Sequence, residues 1–299
     1  MEEFMSILVN ENTNVLVQGI TGKIGMIQTE LMLQQGTKVV AGVTPGKSGQ
    51  KVHDVPVYDS VEEALSEHHI DASVLFVPAR FAEDSCFEAI DARIKVVVLI
   101  TEHVPVHNAM RIRAYAKSQG VTVIGPTTPG IISPGKTKIG IMPVNMFCPG
   151  FVGLISRSGT LTYEVAGALC EAGLGQSTAV GMGADPVVCT GLVEFLDLFE
   201  ADDETKAVVI VGEVGGTQEE AAAEFIHSEM SKPVVAYVAG RYAPTGKRMG
   251  HAGAIVQGGK GDAQSKLNAF KRAGAAVAEN PMTMVRTARK PPQGSCCSG

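Results

Sequence analysis

Short apolar runs rich in Val and Ile alternate with segments of helical periodicity along most of the chain. In the first half the predicted strands cover 14–18, 38–43, 72–77, 95–100 and 121–125. The predicted helices between them cover 24–35, 61–67, 80–91 and 107–118. A strand–helix–strand rhythm is typical of an α/β fold in which helices cover both faces of a parallel sheet.

The stretch 126–150 breaks this rhythm, because it contains five prolines and four glycines that interrupt regular structure. We therefore predict a linker there. The rhythm then resumes, with predicted strands at 151–156, 176–182, 206–212 and 233–238 and predicted helices at 160–172, 190–199, 217–231 and 262–273. These patterns predict two α/β domains, over residues 1–129 and 146–285, and a disordered tail over 286–299.

Composition narrows the choice of partners and compartment. The net charge of −6 argues against a nucleic-acid partner, which would require a clustered basic face. No apolar stretch reaches the roughly 18 residues of a membrane span, and the acidic start Met1–Phe4 is unlike a signal or transit peptide. We expect a cytoplasmic protein, or a mitochondrial matrix protein whose presequence has been removed. The six cysteines form no CxxC pair, so we expect buried, reduced thiols.

A glycine loop, Gly19-Ile-Thr-Gly-Lys-Ile-Gly25, follows the first strand and opens a helix. Glycines let the backbone approach a ligand closely, and the N–H groups at a helix start bind phosphate. The end of the next strand, Gly42-Val-Thr-Pro-Gly-Lys47, has a lysine where NAD enzymes place a carboxylate. A cation suits a phosphorylated ribose, which favours coenzyme A and leaves NADP open. The run 41–48 also matches a relaxed P-loop, but the following residues do not predict the required helix.

A second helix start follows the strand at 151–156. Ser158, Gly159 and Thr160 precede or open the helix predicted over 160–172, and Ser158 or Thr160 can cap it. The N–H groups and the positive end of the helix dipole make this turn a candidate phosphate site. A capped helix with nothing bound is the alternative.

His251 stands apart from the other six histidines because glycines surround it in Gly246-Lys-Arg-Met-Gly-His-Ala-Gly253. Imidazole can act as a base, a metal ligand or a nucleophile toward phosphorus. Since no His, Cys or Asp cluster at ligand spacing surrounds it, we predict no metal site. Glu213 directly follows a predicted buried strand, where it can hold the other imidazole nitrogen and fix the tautomer.

Taken together, these motifs resemble the α subunit of succinyl-CoA synthetase (succinate–CoA ligase) over about residues 6–275. The most specific runs are Ser156-Arg-Ser-Gly-Thr-Leu-Thr-Tyr-Glu164 and Gly246-Lys-Arg-Met-Gly-His-Ala-Gly-Ala-Ile255. The resemblance implies an N-terminal Rossmann-like CoA-binding domain and a C-terminal flavodoxin-like ligase domain. It also implies a β subunit with an ATP-grasp domain, which binds most of the Mg-nucleotide.

The resemblance assigns a role to each candidate residue. The CoA phosphates would be lined by Thr21, Gly22, Lys23 and Ile24 and met by Lys47, and Ile100, Thr101 and Glu102 would lie along the CoA. Tyr163 would lie near the carboxylate substrate. His251 would carry a phosphoryl group, Glu213 would steady it, and Ser158, Gly159 and Thr160 would cradle it.

The implied reaction is reversible. Phosphate displaces CoA from succinyl-CoA, His251 takes the phosphoryl group from the acyl phosphate, and ADP or GDP receives it with Mg²⁺. One departure concerns the acid, because Thr127 stands in Ile124–Gly130 where the family pattern leads us to expect Asn. Thr lacks the paired donor and acceptor of an amide. Malate–CoA and citrate–CoA ligase subunits, an NADP-dependent dehydrogenase, and a CoA-binding regulator without catalysis are the alternatives.

Overall fold

A computed structural model describes residues 6–244, 246–256 and 261–288 of the 299-residue chain. In this part of the chain the helices and strands form two seven-stranded α/β units, which follow each other in sequence. The strands of the first are β1 Asn14–Gln18, β2 Lys38–Val43, β3 Lys51–Val52, β4 Val55–Tyr58, β5 Ala72–Leu75, β6 Val96–Leu99 and β7 Thr122–Ile124. Its helices are α1 Lys23–Gln34, α2 Val61–Glu67, α3 Ala82–Asp91 and α4 Val106–Gln119.

The second unit follows directly. Its strands are β8 Gly130–Ser133, β9 Thr137–Gly140, β10 Pro149–Ser156, β11 Gln176–Gly181, β12 Ala207–Glu213, β13 Val234–Ala239 and β14 Ala276–Val277. Its helices are α5 Gly159–Glu171, α6 Leu192–Ala201, α7 Gln218–Glu229, α8 Ala263–Arg272 and α9 Pro281–Ala288.

Strand order confirms the predicted fold class. The first sheet runs β3-β4-β2-β1-β5-β6-β7 and is parallel apart from the β3–β4 pair. In the second, β11-β10-β12-β13-β14 are parallel in the flavodoxin order, and β8 and β9 extend the β11 edge antiparallel. Strands β5, β6 and β12 are buried throughout, as strands covered by helices on both faces must be.

The prediction of an irregular linker over 126–150 is wrong. Strands β8 and β9 form a hairpin inside it, with the turn at Pro134-Gly135. The prolines stand outside both strands, so they do not interrupt the ladder. The hairpin also joins the two units, because Thr37 Oγ1 donates to Lys138 O over 2.8 Å and Ser133 Oγ donates to Val9 O over 3.3 Å.

Two further expectations need correction. Residues 286–288, which we assigned to a disordered tail, belong to helix α9, which Asn280 caps by accepting from Thr283 N over 2.9 Å. Residues 289–299, with Cys296 and Cys297, lie outside the described residues. Cys148 and Cys170 are not reduced thiols but form a disulfide between the start of β10 and the end of α5. They lie close only after α5 has packed on its sheet, which spacing in the sequence does not reveal.

The expectations for two other cysteines and for the P-loop pattern are confirmed. Cys86 and Cys189 are free and buried. The run 41–48 leads into the short strand β3 rather than a helix, so it is not a P-loop. In the described ranges, every helix is too short or too polar to cross a membrane.

Candidate active site

His251 lies in a tight turn of the loop between β13 and α8. Arg248 and Ile255 pair across the turn, and Met249 N donates to Ala254 O over 2.9 Å. Gly253 lets the turn approach the 183–186 loop, since its N–H donates to Ala184 O over 3.1 Å and a Cβ there would crowd the same oxygen. The glycines that singled out His251 in the sequence therefore serve this close backbone packing.

Glu213, the last residue of β12, lies beside the imidazole. Its Oε2 atom is 2.8 Å from His251 Nδ1, and its other carboxylate oxygen lies 3.4 Å from Arg157 Nη2. The Glu213 and Arg157 side chains are buried, whereas that of His251 is 37% exposed. An ionised carboxylate only accepts hydrogen bonds, so Nδ1 carries the proton and the lone pair of a neutral ring is on Nε2.

Electrostatics favour the charged form of this histidine. The hydrogen bond to Glu213 raises the pKa of His251 above its usual value, burial opposes that rise, and the charge of Glu213 adds to it. Arg157 lowers the same pKa through its positive charge, and the carboxylate of Glu102 raises it. The Glu213 carboxylate thus raises the pKa of His251, and the buried guanidinium of Arg157 limits that rise.

Helix α5 begins close to the histidine. Ser158 caps it by accepting from Leu161 N over 3.4 Å, as predicted for one of the two hydroxyl residues, and its first turn has no acidic residue. Space around Gly159 is open, since an added Cβ there would have no neighbour within 4 Å. The positive end of α5 is therefore accessible to an anion.

A cavity of about 820 Å³ opens where the two units meet. Ten of the predicted residues line it, and they come from the loops and helix starts that follow parallel strands of both sheets: Gly22, Lys23, Ile24, Ile100, Thr101, Glu102, Gly159, Thr160, Tyr163 and His251. This edge of a parallel sheet is where α/β proteins bind their ligands. The geometry thus joins the two glycine loops and the histidine in one site.

Four predicted residues lie outside the cavity wall. Glu213 is behind His251, and Ser158 caps α5. Thr21 donates through Oγ1 to Thr44 Oγ1 over 3.1 Å, which connects the first glycine loop to the loop that carries Lys47. Lys47 itself is exposed, and its N–H donates to Asp59 over 2.9 Å.

Sequence reasoning missed much of the apolar wall. Residues 76–78 follow β5, residues 127–129 precede the β8–β9 hairpin, and both segments line the cavity with Ile141 and Ala184. The strand-end rule could have found 76–78, because β5 was predicted. Thr127 was singled out only as a departure from a family pattern, and it has a left-handed backbone with φ of 56°.

Burial also changes the chemistry of Tyr163. Desolvation raises the pKa of its hydroxyl, so the group stays protonated and can donate a hydrogen bond into the cavity. Among the described residues, no three or more His, Cys, Asp or Glu side chains are grouped so that they could hold a metal ion.

Comparison with known proteins agrees with the two-part architecture. Residues 10–103 match the model of a CoA binding domain, and residues 155–276 match the CoA-ligase model. The chain is 62% identical to the succinate–CoA ligase [ADP-forming] subunit alpha 2 of Archaeoglobus fulgidus, over 93% of this chain and 96% of that protein. It belongs to the succinate–CoA ligase alpha-subunit family.

Further relatives support this assignment. The ADP-forming alpha subunit of Methanothermobacter thermautotrophicus is 55% identical over 95% of this chain and 97% of that protein. Among solved structures, ATP citrate lyase of Methanosaeta concilii with (3S)-citryl-CoA superposes with a TM-score of 0.87 and 27% identity. The alignment covers 94% of this chain and 50% of the ATP citrate lyase chain, so this chain spans about half the length of that protein. Family membership removes the dehydrogenase alternative.

Proposed function

We propose that this chain is the alpha subunit of an ADP-forming succinate–CoA ligase and that His251 carries a phosphoryl group in its reaction. The observation that carries the proposal is the single cavity that joins His251, the start of α5 and the first glycine loop. A histidine that must accept phosphorus needs an unprotonated nitrogen, an anion site beside it and a phosphate donor within reach.

The chain's own residues prepare the histidine for attack. Glu213 holds the proton on Nδ1, so the Nε2 lone pair of the neutral ring is available to the phosphorus atom of an acyl phosphate. A P–N bond forms as the P–O bond to the acyl group breaks, and the carboxylate leaves. Because the ring begins neutral and gains a phosphoryl group, the buried Arg157–Glu213 pair behind it need not change its protonation.

Helix α5 stabilises the transferred group. Its N–H groups around Gly159 and Thr160 and its dipole favour an anion beside His251. The Tyr163 hydroxyl, whose pKa partial burial raises further above its usual value, is protonated and can donate to the carboxylate of the acid. These groups stabilise the negative charge that the acyl phosphate, the transition state and the phosphohistidine each carry.

The first unit suits coenzyme A as the thiol substrate. Lys23 and the N–H groups at the start of α1 offer positive charge to phosphates, and this helix start also lacks acidic residues in its first turn. The apolar wall formed by 76–78 and Ile100 suits the pantetheine arm. Lys47 lies on the loop that Thr44 joins to Thr21, so it can reach a phosphate at the outer end of the site.

Relatives named as alpha subunits indicate that this chain works in a heteromer. We propose that the partner beta subunit has an ATP-grasp domain and binds most of the Mg-nucleotide. The two ADP-forming relatives named above come from archaea, which have no mitochondria, so we propose ADP as the acceptor and a cytoplasmic location. The division into a CoA-binding domain over 1–129 and a ligase domain over 146–285 belongs to the same proposal.

Phosphoryl transfer to the histidine can be tested directly. The chain is combined with its beta subunit and incubated with γ-labelled ATP and Mg²⁺. We expect acid-labile, alkali-stable label on this chain, released by succinate and CoA together. The label should be absent from His251→Asn, and label that persists in this variant would exclude His251 as the carrier.

The acid substrate needs a separate comparison. Thr127 lines the cavity, and the Methanosaeta protein with a similar fold binds citryl-CoA, so malate and citrate are the competing acids. We expect discharge of the labelled enzyme by succinate with CoA, and slower discharge by malate or citrate. Faster discharge by citrate would reassign the substrate while leaving the histidine chemistry intact.

A further inference from the structure

Behind Glu213 lies a fully buried charge network that the proposed reaction does not yet use. Lys266 on α8 and Glu219 on α7 are completely buried, and Arg157 is nearly so. Ionised side chains are seldom buried unless each has a partner, because desolvation is costly. We define the buried charge network as Arg157, Glu213, Glu219 and Lys266.

All three donor hydrogens of Lys266 are used, two by the 213–215 turn and one by Glu219. Its Nζ atom donates to Glu213 O over 3.0 Å, to Gly215 O over 2.6 Å and to the Glu219 carboxylate. An ammonium group has three donors, so the lysine is saturated. These bonds connect α8 to the main chain of the residue that holds His251.

Arg157 and Glu219 complete the enclosure of Glu213. Arg157 Nη1 donates to Gly215 O and to Glu219 Oε1, each over 3.0 Å. Glu219 Oε1 also accepts from Glu213 N over 3.1 Å. The N–H and the carbonyl of Glu213 are therefore hydrogen-bonded to members of the buried charge network, and its Oε1 atom lies 3.4 Å from Arg157 Nη2.

The same turn supports the histidine loop. Gly215 has φ of 92°, and a Cβ there would overlap the carbonyl oxygen of Gly253. Displacement of the 213–215 turn would consequently disturb both the carboxylate beside Nδ1 and the backbone beneath His251. With two cations and two carboxylates, the buried charge network carries no net charge.

We propose that Lys266 is a positioning residue for phosphoryl transfer, which fixes the Glu213–Gly215 turn so that Glu213 holds His251 by Nδ1. The role rests on the proposed function, because it serves the phosphorylation of His251. The charges that act on the imidazole itself are Glu213, Arg157 and Glu102, with Asp185 nearby on the adjoining loop. Lys266 therefore acts through Glu213 rather than through its own field.

The test compares Lys266→Met, which keeps an unbranched side chain as far as Cε and removes the ammonium, with Lys138→Met as a matched control. Lys138 is also buried but lies on β9, outside the buried charge network. The full chain is labelled with ¹⁵N, and the His251 ring is titrated by NMR. Glu213→Gln provides the reference for a histidine that has lost its carboxylate.

We expect Lys266→Met to lower the titration midpoint of His251 by about half a pH unit or more, toward the Glu213→Gln value. The Nε2–H tautomer should also become detectable. In the reconstituted enzyme, His251 phosphorylation should slow by about tenfold or more, because small misplacements are costly to transfer reactions. The KM for CoA should stay within about twofold, since CoA binds the first unit. Lys138→Met should leave all these values at the wild-type level.

A wild-type midpoint and tautomer in Lys266→Met would overturn the proposal. If this variant does not fold, the double variant Lys266→Met/Glu219→Gln removes one charge of each sign and keeps the network neutral. Its titration midpoint should also be lowered, and a wild-type value would again reject the role. Absence of label in wild-type enzyme would instead reject the proposed function, while the titration would still decide whether Lys266 positions Glu213.

Discussion

At the residue scale, one contact determines how His251 can react. The carboxylate of Glu213 meets Nδ1 at 2.8 Å, and the ring is otherwise open to the cavity through its partly exposed side. The sequence predicted Glu213 because it follows a buried strand, and His251 because it lies among glycines. It could not reveal Arg157 and Lys266 behind them, since these lie 56 and 53 residues from Glu213 along the chain.

The pH dependence of stability should report on this contact. The pKa of His251 is raised in the folded chain, so the contact stabilises most below the unfolded-state pKa of about 6.5. That stabilisation is lost as the pH rises through the folded-state pKa. We therefore expect His251→Asn to reduce the free energy of unfolding more at pH 5.5 than at pH 9.

Urea denaturation at the two pH values measures this difference. Glu213→Gln serves as the control, because removal of the carboxylate should make the effect of His251→Asn almost independent of pH. An equal loss at pH 5.5 and pH 9 in the background with Glu213 intact would mean that the ring is not held by an ionised carboxylate.

At the scale of elements, the starts of helices α1 and α5 form the two phosphate sites that we propose. Both begin directly after a strand at the centre of a sheet, and both starts were predicted from glycines and hydroxyl residues. The β8–β9 hairpin was missed because prolines were taken to exclude strands, although Pro134-Gly135 between apolar runs is a turn signal. Helix α9 was missed despite Asn280-Pro281, a capping residue followed by proline.

The packing of α1 depends on Gly25. A Cβ at this position would overlap the carbonyl oxygen of Gly19, so the helix would have to move away from its loop. We expect Gly25→Ala to lower the free energy of unfolding by about 2 kcal/mol or more. It should also weaken CoA binding, measured by calorimetry.

Gly167→Ala in α5 is the matched control for Gly25→Ala. An added Cβ there makes only an ordinary contact with Met146 at 3.6 Å. Because alanine favours a helix interior, this change should stabilise the chain by about 0.5–1 kcal/mol. If the two substitutions had similar effects, the close approach of α1 to Gly19 would be refuted.

The disulfide gives a second prediction at this scale. Cys148 and Cys170 enclose a loop with a sequence separation of 22 residues. A cross-link of this span restricts the unfolded chain and should add about 3 kcal/mol of stability. Reductant should thus lower the melting temperature of the wild-type chain but not that of Cys148→Ser, and an unchanged wild-type value would contradict the cross-link.

At the scale of the whole molecule, the cavity exists because both sheets present their carboxyl-terminal strand ends to each other. The family resemblance assigned residues from 22 to 251 to one site, and the arrangement of the strand ends explains why they line one cavity. The sequence did not predict the cavity wall at 127–129, because this wall depends on how the hairpin joins the second sheet. Nor could the sequence predict the buried charge network, whose members meet only after α7 and α8 pack on the sheet.

Which ring nitrogen carries the phosphoryl group is the most direct test of the central claim. Phosphorylated wild-type enzyme, prepared with its beta subunit, ATP and Mg²⁺, is denatured in alkali and studied by ³¹P NMR against authentic Nδ1- and Nε2-phosphohistidine. Because Glu213 holds Nδ1, we predict the signal of Nε2-phosphohistidine, mapped to His251 by mass spectrometry. A phosphoryl group on Nδ1, or on any residue other than His251, would contradict the account.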